Sequence, residues 1–87
     1  MRVQVEVICS PHPREEIETA LRAAGKRLAL TADSVSVSID PTKPRIAILE
    51  FEMRRAAQYK VVDDIGDAVN ICAWRFYQDI TIRFPKD

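Results

Sequence analysis

Cys9 and His12 stand three residues apart in the run Cys9-Ser10-Pro11-His12, a spacing at which a thiolate and an imidazole could share a metal ion. A structural zinc site needs four such ligands and a catalytic one three. The chain has one histidine and two cysteines, so Cys72 would bring the set to three at most. Patterning argues against that use. Cys9 continues the row Val3, Val5, Val7, and Cys72 falls on the apolar side of a helical segment. Both are therefore expected as buried structural thiols, the usual state of free cysteine. No metal and no cofactor is expected.

His12 is also the one side chain suited to proton transfer near neutral pH. A general base needs a nucleophile, an orienting partner and a pocket, and none is legible in its neighbourhood. The expectation is a solvated turn histidine between two prolines, with catalysis through it ranking last. A weak anion site is a further candidate. His12, Arg14, Lys43 and Arg45 would surround a helix N-terminus, which favours anions. Phosphate loops are excluded, because Gly25 and Gly66 are the only glycines.

The elements that position these residues follow from periodicity. Residues 2 to 9 alternate polar and apolar and read as a strand. Pro11 and Pro13 break that ladder and lead into a helix from about Arg14 to Thr31, with Ile17, Ala20, Leu21, Ala24 and Leu28 on one side. Ser34 to Asp40 and Arg45 to Arg54 alternate again, joined by Pro41-Thr42-Lys43-Pro44. A second helix is expected from about Ala56 to Tyr77 and a last strand from Asp79 to Phe84. The short connection near Pro41 suits a hairpin, so the reading is a ferredoxin-like β-α-β-β-α-β sandwich. Two helices cover one face of a four-stranded antiparallel sheet of order 4-1-3-2.

With 87 residues the chain makes one domain, since two cores would each be too small. At 47% hydrophobic and 30% charged residues it is globular rather than disordered. Acids and bases balance at thirteen each, which gives no sign of a polyanion partner. The open sheet face would carry Glu6, Glu50 and Glu52 and no aromatic ring, which disfavours nucleic acid there. No long apolar stretch or signal-like start appears, and with two cysteines a reducing cytoplasm is the expected location.

Exposed apolar residues supply the remaining candidates. Stepping about 100° per residue, Trp74 and Ile71 fall among Asp67 and Asn70 on the outer face of the second helix, while Val61, Val62, Ile65, Ala68, Val69, Cys72 and Phe76 face the sheet. Tryptophan so placed either marks a contact hot spot or folds over the helix end and packs on Pro11 or Pro44. Ile46 and Ile48, beside Ile8, form a second candidate surface on the open sheet face. The resulting expectation is a non-enzymatic interaction or accessory domain, as a homodimer or a subunit of a larger assembly. A regulatory small-molecule-binding domain of ACT-like kind is the alternative, and a minimal enzyme using His12 the third.

Overall fold

Alternation of valine with polar residues makes a strand of the chain after Met1, β1 (Arg2–Cys9), and the sheet is built outward from it. Val3, Val5, Val7 and Cys9 are fully buried, while Gln4, Glu6 and Ile8 face the other way. The structure, a computed structural model, describes residues 1–85. Pro11 ends the ladder and Pro13 opens α1 (Arg14–Leu28), the Pro13 carbonyl accepting from the amides of Glu16 and Ile17. Glu15 and Glu16 in the first turn and Lys26 and Arg27 in the last complement the helix dipole. Ile17, Leu21 and Ala24 bury one side of α1 against the sheet.

α1 ends three residues before the expected Thr31, for a local reason. The Ser34 hydroxyl donates to the Thr31 carbonyl (2.9 Å) and accepts from the Glu52 amide (3.2 Å). These bonds wind Ala32–Ser34 into a 3-10 turn, as serine and threonine often do when they offer the backbone another partner. β2 (Ser36–Ile39) therefore starts two residues late. Asp40 closes the following hairpin. Its carboxylate accepts from the Thr42 amide at 2.9 Å and the Thr42 hydroxyl at 2.8 Å. Those two bonds, the amide first, hold the Asp40 carboxyl below its ordinary range, with Lys43 adding to them.

β3 (Ile46–Glu52) buries Ala47, Leu49 and Phe51 on the helix side. α2 (Gln58–Ala73) follows, burying Val61, Ile65, Ala68, Val69 and Ala73, and β4 (Tyr77–Arg83) completes the sheet. The strand order is β2-β3-β1-β4 with every pairing antiparallel, which is the expected 4-1-3-2 read from the other edge. Val3 opposes Phe51 and Val5 opposes Leu49, so the largest buried side chains meet at the centre of one face, under the two helices. The other face is polar at its margins, where Arg2 pairs with Glu50 (3.0 Å) and Arg83 with Glu6 (3.3 Å).

The second helix differs from its expected course. It stops at Ala73 instead of running to Tyr77, and residues 74–76 turn directly into β4. Pairing decides this. Tyr77 takes its place opposite Cys9 through a β-bulge, and the Phe76 carbonyl accepts the Ser10 amide at 2.7 Å. Phe76 is buried as expected, but from the turn and not from the helix face. Val62, expected to face the sheet, is 43% exposed.

The two glycines make opposite predictions. A Cβ on Gly25 would lie 2.9 Å from Cγ1 of Val35 and 3.0 Å from Cδ1 of Leu49, so this glycine lets α1 approach the sheet. Gly25→Ala is expected to destabilise, because overpacking costs about 1–3 kcal/mol against a helix gain of about 1 kcal/mol. Gly66→Ala meets nothing within 4 Å and is expected to stabilise by about 0.5–1 kcal/mol. Urea unfolding of the two variants checks both signs. A stabilised Gly25→Ala would show that α1 has room to retreat.

Candidate functional site

The end of β1, the start of β3 and the end of α2 meet at one pole. The Cys9 amide donates to the Arg45 carbonyl at 2.7 Å, and Nε of Arg45 donates back to the Cys9 carbonyl at 3.0 Å. Nη2 of Arg45 reaches Oε1 of Gln78 at 2.9 Å, tying β3 to β4 across β1. These bonds fix where Ser10 leaves the sheet and where Phe76 enters it. His12 then stands against Phe76, the two rings 5.4 Å apart and tilted by 50°.

Beside this pole a groove of about 480 Å³ opens between α1 and the end of α2. Its α1 wall is made of Thr19, Ala20 and Ala23, with Glu15 and Glu16 at one end. Their short side chains leave the space. The opposite wall is Cys72, Trp74, Arg75 and Phe76, contributed by the last turn of α2 and the turn into β4. Because α2 stops early, Trp74 projects from that turn and is 67% exposed. The Arg75 guanidinium lies 5.9 Å from its ring centroid, within cation–π range. Glu15 and Glu16 make no ion pair with other described residues.

The groove is of ligand size. Pockets for small molecules span roughly 300–1,000 Å³ and are mostly apolar with a few placed polar groups. Two rings, Trp74 and Phe76, and two alanines supply the apolar lining here, and His12, Thr19, Arg75 and the two glutamates supply the polar groups.

The structure places the sequence candidates unevenly. His12 lines the groove, whereas Arg14 is spent on Glu18 (2.8 Å) and Arg45 on Cys9 and Gln78. Lys43 lines a separate depression of about 250 Å³ on the open sheet face, with Glu6, Ile46 and Ile48. The four residues expected around an anion are thus not brought together. Ile71, Asp67 and Asn70 are exposed on α2, Asn70 accepting from the Tyr77 hydroxyl at 3.3 Å. Trp74, the C-cap of α2 in the αR conformation, stands in the groove wall, to which Asp67, Asn70 and Ile71 do not contribute. Ile46 opposes Ile8 on neighbouring strands, both sloping onto the open face.

The thiols also divide. Cys9 is fully buried, its Sγ–H directed at the Val7 carbonyl (3.8 Å). Burial pushes the Cys9 thiol above its ordinary range, against a smaller opposing pull from Arg45. Cys72, expected in the core, is only partly buried and borders the groove. Thr19, Ala23 and Arg75 were not legible as site residues, and Ala20, expected in the core stripe of α1, is only partly buried and lines the groove.

A scan against protein-family models finds no match, and neither does a search of curated proteins. Among solved structures, one named as an antibiotic biosynthesis monooxygenase superposes with a TM-score of 0.61 at 14% identity, covering 99% of this chain and 96% of that one. At that identity the likeness shows the fold. It also corrects the expectation of a non-enzymatic domain working through protein contacts. The frame is one that a protein named as an enzyme uses, and here it carries a ligand-sized groove. An enzymatic use is raised by this likeness and not established by it.

Proposed function

We propose that this domain binds a small organic molecule with a flat, largely apolar body in the groove between α1 and the end of α2. The observation that carries the reading is the groove itself, walled by Trp74 and Phe76 on one side and floored by Ala20 and Ala23 on the other. A planar ring there would gain apolar burial and offset stacking, since aromatic pairs contribute about 0.5–1.5 kcal/mol beyond their area. His12, Arg75 and the glutamates would fix its polar edge. This keeps the small-molecule part of the ACT-like expectation, with a site formed by one chain's own helices.

Trp74 is the only tryptophan in the chain, so its emission reports groove occupancy without a label. A panel of one- and two-ring aromatic compounds should give at least one saturable change in Trp74 fluorescence. The same compound should raise the melting temperature, because a ligand at about 100 times its Kd adds about 2.7 kcal/mol to the native state. No saturable response anywhere in the panel would sink the proposal.

A second reading is that the bound molecule is turned over, and it rests on the monooxygenase name of the structural neighbour. Dioxygen consumption dependent on both protein and bound aromatic compound would support it. At 14% identity no residue role is carried across.

A further inference from the structure

We infer that His12 is a proton acceptor for an acidic O–H group on the molecule in the groove, held in its basic tautomer by Ser10. This deepens the ligand-binding reading above and rests on it. The chemical class it selects is a phenol or an enol.

Hydrogen bonding around Ser10 carries the argument. The Ser10 hydroxyl lies 3.3 Å from the Phe76 carbonyl and 3.1 Å from Nδ1 of His12. A hydroxyl has a single hydrogen to give, and a carbonyl can only accept. With that hydrogen on the Phe76 carbonyl, Nδ1 must be the protonated nitrogen and donate to the Ser10 oxygen. A second acceptor agrees, since the Ser10 carbonyl lies 3.4 Å from Nδ1. Both carbonyls therefore select the Nδ1–H tautomer, which puts the lone pair on Nε2.

Nε2 has no hydrogen-bond partner among the described residues, and His12 lines the groove. The tilted contact with the Phe76 ring holds the imidazole in place. The imidazole thus has the orienting partner and the pocket that the sequence alone did not offer. The transfer itself is simple. The ligand's O–H bond breaks, its electron pair stays on oxygen, and the proton forms a new N–H bond at Nε2. No oxidant is consumed, and the product is an oxyanion paired with an imidazolium. Of the other charged groups lining the groove, Arg75 would favour the oxyanion, while Glu15 and Glu16 on α1 would oppose it. Cys72 is the remaining titratable group there.

4-Nitrophenol tests this directly, because its protonated and ionised forms absorb differently and its binding is read separately by Trp74 fluorescence. At a pH where the free compound is mostly protonated, binding to the wild-type protein should raise its ionised-to-protonated ratio by about tenfold, as a charge-assisted hydrogen bond allows. His12→Gln should bind the compound and lose that rise. Ser10→Ala should reduce the rise while keeping binding, and Ser10→Thr, which retains the hydroxyl, should restore it. A positioning role for Ser10 requires this rescue. If the compound binds and ionises as it does in water, or ionises equally in His12→Gln, the inference about His12 fails and the groove reading stands. If 4-nitrophenol gives no Trp74 response while another aromatic compound of the panel does, the inference about His12 fails; if no compound does, both fail.

Discussion

Phe51→Ala is expected to remove about 3–5 kcal/mol of stability, the usual loss for truncating a buried phenylalanine. Phe51 is fully buried on β3, opposite Val3 of β1, and is the largest wholly buried side chain. Its ring fills the layer between the two central strands and the helices, so alanine would leave a cavity that rigid strands cannot close. A loss of that size is comparable to the whole stability of many small domains, which is about 5–15 kcal/mol. Ile48→Ser is the control, because Ile48 is half-buried on the other face of the same strand. It should cost far less in urea unfolding. Equal losses from the two substitutions would mean that the open face is itself covered, by a second copy meeting it around Ile46 and Ile48. Concentration-dependent unfolding would then accompany them.

The frame was legible because each element announces itself by period. Valines two apart mark β1, and Ile17, Leu21 and Ala24 at helical spacing mark α1. The Pro41–Pro44 connection is too short for a crossover, so β2 and β3 pair antiparallel, and with a β-α-β unit on either side this points to the observed order. The groove was not legible, for a physical reason. Its far wall depends on α2 stopping at Ala73, and the residues from Trp74 to Phe76 continue a helical pattern without a breaking glycine or proline. Pairing of Tyr77 with Cys9 and the bond from the Ser10 amide to Phe76 end the helix instead. Both contacts span more than sixty residues and leave no local trace. Misplacing that one boundary hid the wall that Trp74, Arg75 and Phe76 make beside α1. It also hid the partner of His12, since Ser10 meets Phe76 only after the turn.

The largest kinetic contrast should lie between the two thiols. In the native protein a bulky maleimide should modify Cys72 at least about a thousandfold faster than Cys9. Cys9 sits at 0% exposure in a central strand, so reagent reaches it only when the sheet opens. At a stability of about 5 kcal/mol that open form is populated at about one part in several thousand. Burial works in the same direction by raising the Cys9 thiol above its ordinary range and starving it of thiolate. Cys72 borders the groove and needs no such opening. Cys72→Ser isolates the slow thiol, and an aromatic ligand that occupies the groove should slow labelling of Cys72 while leaving Cys9 governed by stability alone. The raised Cys9 thiol adds a sign that can be checked. Between its ordinary range and its folded-state value the unfolded chain binds fewer protons than the native one, so stability is full below that range and falls as pH rises through it. Comparable labelling rates for the two thiols, without denaturant, would place Cys9 outside the core and unseat the register of β1 on which the groove's position depends.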